Sequence, residues 1–288
     1  MNIRHAVINI GSNSVKLLAP NGSILGYRNT IVCQLAKGRK NGYLLLEAMD
    51  GAYDAVMTLY REALTYKPDG ILIYATEAVR AAANKSYLLN KIKGSTGIDT
   101  DVIDGATEAF CSYLGALGAF PDLDCTVDIG GASTEIVRVE NGSPDKKSYL
   151  VGTLQLVDLF GQDFDNHLDS ARYIFRDMPS RAEKKVVGTS GTFASLAVVA
   201  GNMKKFSAEA VHGFVITKSL LYDLTDQLSK LSPQQINKAF PAIDTKRANV
   251  LKPGLAIVNA VMEKSLTHSV TVSSADGLTG YLVYKKLC

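Results

Sequence analysis

The spacing of apolar residues along the chain predicts strands and helices in alternation. Short runs rich in Val, Ile and Leu are typical of buried strands. Segment 44–66 differs, because its apolar residues, such as Met49, Val56 and Leu59, recur at helical spacing and mark one face of a surface helix. The same criteria predict strands or strand pairs at 5–18, 23–32, 71–74, 102–103, 185–187 and 270–273. They predict further helices at 77–84, 86–93, 107–117, 153–160, 169–175, 218–230, 232–240, 250–264 and 278–286, and one that ends at 200.

One stretch of the chain occurs twice, which indicates a duplicated fold. Residues 9–14 and 128–133 share a polar residue, an isoleucine, a glycine and, three positions after the glycine, a serine. A strand-like run follows each copy, and then an Asn-Gly pair, at 21–22 and at 141–142, that favours a tight hairpin turn. Each half therefore begins as strand, loop, strand, turn, strand. The complete pattern predicts the α/β class with mixed sheets.

The repeated loop connects two strands, unlike the strand-to-helix loops of the Walker and Rossmann motifs. Two such loops, one in each half, indicate halves that face each other across a cleft. The pair Pro121-Asp122 marks the passage between them. We therefore expect one domain at residues 1–120 and a second at 121–288.

The second copy of the loop has the composition of an anion and metal site. Adjacent glycines at 130–131 let backbone N–H groups come close to a ligand, and a row of such donors suits an anion. The carboxylates of Asp128 and Glu135 would repel a bare phosphate, so they favour a hard cation such as Mg²⁺ beside it. An ordinary glycine-rich hairpin turn with two exposed acids is the alternative. The repetition of the loop favours the functional interpretation.

Composition is that of a globular protein and gives no support for several classes of partner. Of the 288 residues, 47% are apolar and 20% are charged, and the formal net charge is only +3. Since no long basic run occurs, we expect no nucleic-acid partner. No apolar stretch is long enough to span a bilayer, and the N-terminus lacks the pattern of a signal peptide. The four cysteines have no metal-like spacing, so we expect buried, reduced thiols and a cytoplasmic protein without membrane contact.

The chain resembles the exopolyphosphatase and guanosine pentaphosphate phosphohydrolase family, which belongs to a superfamily with actin, sugar kinases and acetate kinase. The matching segments follow the family's order and cover most of the chain: 8–17, 74–80 with Asn84, 103–109 with 113–115, 128–135, 188–192 and, more weakly, 211–213 and 247–277. The resemblance implies two actin-like (ribonuclease H-like) domains of duplicated βββαβα type with an interdomain cleft. It also implies a homodimer, by analogy alone.

The resemblance further implies a Mg²⁺-dependent hydrolase that releases terminal phosphate from inorganic polyphosphate or from guanosine pentaphosphate (pppGpp). Glu108 corresponds to the family's catalytic glutamate, which would orient or deprotonate the attacking water. Asp128 and Glu135 would also act in catalysis and would hold Mg²⁺ together with Asn9. Arg80 would pair with phosphate, for which its planar guanidinium is suited. The other predicted phosphate-binding residues are Gly11, Ser12, Asn13, Ser14, Gly130, Gly131, Ala132, Ser133, Gly188, Thr189, Ser190, Gly191 and Thr192.

Several residues at the predicted site depart from the family pattern. Asn9 replaces an aspartate and offers an oxygen without a charge, which would weaken Mg²⁺ binding. Thr107 replaces an acid, Phe110 an arginine and Ala132 a glycine. These changes leave a second hypothesis open, a catalytically impaired member that binds polyphosphate or an alarmone nucleotide as a sensor. A small-molecule kinase of the same superfamily is a third, which the closer match of the Glu108 segment to the phosphatases disfavours.

Structural roles are open for individual residues as well. Glu108 could stabilise a helix dipole from the first turn, and Arg80 could form a salt bridge. The serines and the asparagine of the loops could serve only to cap turns.

Overall fold

A computed structural model describes residues 3–23 and 25–287 of the chain. The first half contains strands β1 (Ala6–Ile10), β2 (Ser14–Ala19), β3 (Tyr27–Val32), β4 (Ile71–Ala75) and β5 (Thr100–Val102), and helices α1 (Leu46–Thr65), α2 (Glu77–Arg80), α3 (Lys85–Thr96) and α4 (Gly105–Ala119). The strands of the second half are β6 (Cys125–Ile129), β7 (Thr134–Glu140), β8 (Ser143–Tyr149), β9 (Val186–Gly188), β10 (Val215–Thr217) and β11 (Ser269–Val272). Its helices are α5 (Thr153–Phe160), α6 (Phe164–Ile174), α7 (Gly191–Ala200), α8 (Ala208–Val211), α9 (Lys218–Ser229), α10 (Pro233–Ala239), α11 (Thr245–Ser265) and α12 (Gly277–Tyr284).

Two predicted helices begin earlier than their apolar spacing indicates, because polar side chains cap them. Helix α6, predicted at 169–175, begins several residues earlier, where Asp163 accepts a hydrogen bond from a first-turn backbone N–H. Helix α11, predicted at 250–264, likewise begins after Asp244, which caps it in the same way. The short elements β10 and α8 lack a prediction, since three or four residues carry too little periodicity to be recognised.

The two sheets repeat one strand order. The first sheet runs β3-β2-β1-β4-β5, and the second runs β10-β11-β9-β6-β7-β8. Five strands of the second sheet, β8-β7-β6-β9-β11, match the first in order and direction, with antiparallel pairs on one side of the central strand and parallel pairs on the other. Strand β10 is an added antiparallel edge. The predicted α/β class with mixed sheets in a duplicated arrangement is confirmed.

Strand β1 is buried along its whole length, because elements cover both faces of its sheet. Ile8 and Ile10 pack with α1 on one face, and Val7 packs with α12 on the other. A strand covered on both sides reads as a continuous apolar run rather than as an alternation. Asn9 is the single polar residue of this run, and it shares a face with Val7. The amide of Asn9 is therefore directed to the side on which α12 lies.

Helices α4 and α12 form a shared layer between the two sheets. Helix α12 packs on β1 and β2 with Leu278 and Tyr281, and α4 packs on β6, β7 and β8 with Tyr113 and Ala116. The last helix of the sequence therefore completes the core on one face of the first sheet. The division of the chain between residues 120 and 121 stays a prediction.

The two helices of this layer approach each other at two glycines. A Cβ atom at Gly280 would lie 1.6 Å from the carbonyl oxygen of Cys111, and one at Gly115 would lie 2.2 Å from the carbonyl oxygen of Asp276. Both obstacles are backbone atoms, which cannot rotate out of the way as a side chain can. The spacing of the layer therefore depends on glycine at both positions.

Three of the four cysteines lie in the described residues. Cys33, Cys111 and Cys125 are free. The last two are buried as predicted, but Cys33 is only half-buried, and Cys288 lies outside the described residues. Within the described part of the chain, no helix combines the length and the hydropathy required to cross a membrane.

The helix crossing gives a test of the packing. Replacing Gly280 with Ala should lower the free energy of unfolding by about 3 kcal/mol or more, because the added methyl meets backbone that must shift. Gly94→Ala in α3 is the matched control, since no atom lies within 4 Å of the added carbon. That variant should gain about 0.5–1 kcal/mol from helix propensity. Urea denaturation of both variants measures the difference, and equal stabilities would contradict the close crossing.

Candidate active site

A cleft of about 300 Å³ is lined by residues of both halves. Its walls include the loops that follow β1 and β6, parts of β2 and β3, and the first turns of α4, α7 and α12. The carboxyl ends of the central strands of both sheets thus open into one space. In α/β folds, such strand ends are the usual position of a ligand site.

The two repeated loops contact each other inside this cleft. A Cβ atom at Gly131 would lie 3.1 Å from the backbone nitrogen of Asn13, so only glycine permits this approach without a shift. The same hydrogen bond closes each loop, from the N–H of the glycine to the carbonyl of the serine three positions later. It is 3.0 Å long in residues 11–14 and 2.8 Å long in residues 130–133. The predicted equivalence of the two loops is therefore visible in their geometry.

Both loops turn backbone N–H groups away from the scaffold. The carbonyl of Ser12 accepts a hydrogen bond at 2.9 Å from a backbone N–H outside its loop, and the carbonyl of Gly130 accepts one at 3.0 Å. In a trans peptide, the next N–H points in the opposite direction. These N–H groups belong to Asn13 and Gly131, which line the cleft and whose amides find no acceptor within the described residues. Free amide donors in two facing loops form an arrangement that suits an anion.

Polar side chains form a row across each sheet. In the first sheet, strand pairing sets Asn9 opposite Lys16 on one side and Tyr74 on the other. In the second sheet, Asp128 lies opposite Glu135. Paired residues point to the same face, and in both sheets this face is the one covered by α4 and α12. When the two loops are aligned, neutral Asn9 corresponds to Asp128 and cationic Lys16 corresponds to Glu135.

Glu108 lies in the first turn of α4, where Asp104 caps the helix. Arg80 donates through Nη1 to the carbonyl of Ile103 at 2.7 Å and, at 3.4 Å, to the Glu108 carboxylate. Burial, and next to it the negative charge of Asp128, raise the pKa of Glu108 to about 7, although Arg80 acts in the opposite direction. A carboxyl group with a pKa near neutrality is suited to accept a proton from water. The sequence left open whether Arg80 forms a salt bridge, and the structure shows one with Glu108.

Asp128 and Glu135 are held by serine hydroxyl groups. Ser112 donates to Oδ2 of Asp128 at 2.5 Å, and Ser148 donates to Oε1 of Glu135 at 2.7 Å. Burial raises the pKa of both acids, and the charges of Glu108 and Asp128 raise that of Glu135 further. Glu135 is only 2% exposed and lies outside the set of residues that line the cleft. Asp128 therefore presents the carboxylate of this row to the cleft, and Glu135 lies beside it at a buried position.

The structure brings most of the predicted phosphate-binding residues to the cleft, although their binding of phosphate stays a prediction. Ala132, Arg80 and Gly188 are not among the lining residues. A Cβ atom at Gly188 would lie 2.4 Å from the ring of Phe193, so the glycine there makes room for packing. The residues that line the cleft are Gly11, Ser12, Asn13, Ser14, Gly130, Gly131, Ser133, Thr189, Ser190, Gly191 and Thr192.

Charged cleft residues were missed by the sequence reasoning. Lys16 lines the cleft and forms no ion pair within 4 Å of any described carboxylate, and its charge partly offsets the rise that burial causes in the pKa of Asp128. Aligning the two loops places Lys16 at the position of Glu135, which was a usable signal. Asp276 caps α12, and Arg28 donates to it at 2.9 Å. Burial alone would raise the pKa of Asp276, but the charges of Arg28 and Lys16 outweigh burial and lower it.

Two neutral cleft residues, Tyr74 and Ser112, were also missed. Both line the cleft, yet Tyr74 lies in an apolar strand and Ser112 inside a helix rich in small residues. Nothing in their sequence context distinguishes them from core positions. Only the strand pairing and the helix contacts bring them to the site.

The side-chain oxygens at the two rows fit a hard cation. Asn9, Asp128 and Glu135 provide an amide and two carboxylates, and burial raises the pKa of both acids, so a nearby cation would favour their charged forms. The described residues contain no group of three or more His, Cys, Asp and Glu side chains that could hold a metal by themselves. Mg²⁺ commonly uses one or two carboxylates and completes its shell with phosphate oxygens and water. The residues present therefore fit Mg²⁺ bound jointly with a phosphate ligand.

Comparison with known proteins identifies similar sequences along the chain. A family model described as the Ppx/GppA phosphatase family matches residues 27–286. The chain is 27% identical over 310 residues to Exopolyphosphatase 2 of Mycobacterium tuberculosis, covering 96% of this chain and 97% of that protein. It is 25% identical over 313 residues to the Bifunctional 3-dehydroquinate synthase/phosphatase of Fusobacterium nucleatum, where it covers 98% of this chain but spans only 46% of the relative. It is 28% identical over 306 residues to the Guanosine-5'-triphosphate,3'-diphosphate pyrophosphatase of Photobacterium profundum and spans 59% of that protein.

Solved structures share the fold along the whole chain. A Ppx/GppA family member from Aquifex aeolicus superposes with a TM-score of 0.81 at 24% identity, covering 100% of this chain and 98% of that one. An exopolyphosphatase from Cytophaga hutchinsonii gives a TM-score of 0.85 at 24% identity, with 98% and 97% covered. The predicted fold is therefore that of known structures.

The raised pKa of Glu108 has a consequence for stability. The pKa of about 7 lies above the ordinary value of 4.5, so the folded state favours the protonated carboxyl. This contribution is complete below about pH 4.5 and is lost as the pH rises through about 7. Because glutamine stays neutral, Glu108→Gln should unfold with a free energy about 1–3 kcal/mol higher than wild type at about pH 8.5, and nearly the same at about pH 4.5. Urea denaturation measures both, and the exposed first-turn acid of α1 provides the control variant Glu47→Gln, which should show no such gain.

Proposed function

The chain belongs to the Ppx/GppA phosphatase family, and we propose that it is a Mg²⁺-dependent phosphohydrolase that removes the terminal phosphate from inorganic polyphosphate or pppGpp. The observation that carries the proposal is Glu108, whose pKa of about 7 suits a base at neutral pH. Its carboxylate lines the same cleft as the two facing loops with free backbone N–H groups. A base beside an anion cradle is the arrangement that phosphate transfer to water requires.

Each part of the site has a role in this proposal. The amides of Asn13 and Gly131 bind oxygens of the terminal phosphates, and Lys16 adds positive charge beside them. Glu108 orients the attacking water and accepts its proton, while Arg80 holds the carboxylate in place. Asp128 and Asn9, with Glu135 buried beside Asp128, would hold Mg²⁺, which would neutralise phosphate charge when bound. Polyphosphate and pppGpp are the proposed substrates because the chain is similar to an exopolyphosphatase and to a guanosine-5'-triphosphate,3'-diphosphate pyrophosphatase.

A second candidate function is a binding protein that senses polyphosphate or an alarmone nucleotide. The row that contains Asn9 and Lys16 favours it, because that row supplies no carboxylate toward the metal, whereas the row of Asp128 supplies two. Weaker Mg²⁺ binding would leave the phosphate cradle intact while slowing hydrolysis. The retained Glu108, Asp128 and Glu135 favour the enzyme.

Phosphate release from long-chain polyphosphate and from pppGpp, with and without Mg²⁺, tests the proposal. Glu108→Gln should lower kcat by about 10²-fold or more, because it removes the proton acceptor and keeps the shape of the side chain. Glu47→Gln is the control and should retain the wild-type rate. If wild type is inactive while Asn9→Asp releases phosphate, the native protein is an impaired phosphatase, and tight phosphate binding without turnover in either would establish the sensor.

The pH profile tests the role of Glu108 separately. Since the deprotonated carboxylate is the active form, kcat/KM should rise with pH and level off above about 7. The charge of Arg80 lowers the pKa of Glu108, so Arg80→Met should move the midpoint to higher pH, and Arg80→Lys should move it less. Initial rates measured across the pH range report the midpoint. An unchanged midpoint in Arg80→Met would assign the ionisation to another group.

A further inference from the structure

Tyr74 occupies a position in the cleft that the proposed function has not used. It lies in β4 directly opposite Asn9 and thus extends the polar row of the first sheet. Its ring stacks on that of Tyr281 with centroids 4.3 Å apart and planes at 21°. The residue is only 4% exposed and lines the cleft. The ring is therefore fixed by packing, and what remains to be explained is the hydroxyl group.

The hydroxyl group of Tyr74 lies next to the N-terminus of helix α12. A Cβ atom added to Gly277, the first residue of that helix, would lie 3.5 Å from the phenolic oxygen. Within the described part of the chain, the Tyr74 oxygen forms no hydrogen bond. It is also absent from the set of unpartnered side-chain atoms that are fully buried, so part of its surface is exposed. A buried tyrosine hydroxyl usually finds a partner in the protein. This one is open to the cleft instead.

Within the described residues, none of the surrounding carboxylates accepts a hydrogen bond from Tyr74, and each is held by another donor. Ser112 donates to Asp128 at 2.5 Å, and Arg28 donates to Asp276 at 2.9 Å. Glu108 accepts from Arg80. The O–H of Tyr74 therefore remains available to a ligand in the cleft.

The environment also keeps the phenol protonated. Burial, and next to it the neighbouring Cys111 and the carboxylates of Asp276, Glu108 and Asp128, raise the pKa of Tyr74 well above its ordinary value. At any working pH the group is therefore neutral and able to donate. A neutral hydroxyl group can donate a hydrogen bond to a phosphate oxygen without adding another negative charge to a cleft that already contains several acids.

We infer that Tyr74 is a substrate-binding residue, whose hydroxyl donates a hydrogen bond to a phosphoryl oxygen of the ligand. The inference rests on the proposed phosphohydrolase function, since it assigns a new contact within the same site. Tyr74 adds a donor to the amides of the two loops. It lies on one side of Asn9 in the row, and Lys16 lies on the other. Its place in the row is set by strand register and its direction by the stack on Tyr281.

The test compares Tyr74→Phe with Tyr281→Phe. Each variant removes one hydroxyl group and keeps the stacked pair of rings. The hydroxyl of Tyr281 donates to Asp101 at 2.7 Å, and neither residue lines the cleft, so its loss should leave the rate within about twofold of wild type. A hydrogen bond to a charged oxygen predicts a loss of roughly tenfold to a hundredfold in kcat/KM for Tyr74→Phe with inorganic tripolyphosphate and Mg²⁺.

A binding measurement separates this inference from the proposed function. Calorimetric titration of wild type and both variants with inorganic tripolyphosphate should show weaker binding only for Tyr74→Phe, whether or not the protein turns the ligand over. If wild type binds but does not hydrolyse, and Tyr74→Phe binds more weakly, the inference stands while the proposed function fails. If wild type hydrolyses, and Tyr74→Phe matches it in rate and affinity, the inference is wrong while the function stands. Equal losses in both variants would also overturn it, because they would assign the effect to the stacked rings.

Discussion

The site depends on the register of two antiparallel hairpins. In each, one hydrogen bond from a glycine N–H to the carbonyl of a serine three residues later closes the loop. That closure fixes which residues stand opposite each other, so Asn9 meets Lys16 and Asp128 meets Glu135. A slip of one residue would turn every polar side chain of a row to the other face of its sheet. Because both rows must face the same layer, the hairpin register determines whether a common site exists.

The second constraint is the layer of α4 and α12 between the sheets. Gly115 and Gly280 let these helices meet at backbone distance, and this contact joins a helix that follows the first sheet to one that follows the second. The layer also supplies groups to the cleft, because Glu108 lies in the first turn of α4 and Asp276 caps α12. The two helices that join the halves thus also supply two of the acidic side chains of the cleft.

Burial of several acids in one cleft opposes stability and supports the proposed chemistry. The pKa values of Glu108, Asp128 and Glu135 are all raised, since each carboxylate is desolvated and the charges of neighbouring acids act on Glu108 and Glu135. Hydroxyl groups of Ser112 and Ser148 offset part of this cost. The duplicated halves are therefore not equivalent in charge, because the first row carries Lys16 where the second carries an acid. Under the proposed function, the side of Lys16 would take phosphate and the side of the acids would take its counter-ion.

The sequence alone determined the duplicated α/β fold and both repeated loops, because strand periodicity, Asn-Gly turns and small-residue loops are local signals. It also identified Glu108 and Asp128, which the structure brings to one cleft. Tertiary structure decided the rest: Tyr74 and Ser112 reach the site through strand register and helix packing, and Arg28 reaches Asp276 across 248 residues of sequence. The tertiary structure also packs Gly188 against the ring of Phe193 and buries Glu135 away from the cleft surface. These outcomes depend on which distant elements meet and on how far they exclude water, and no local pattern encodes either.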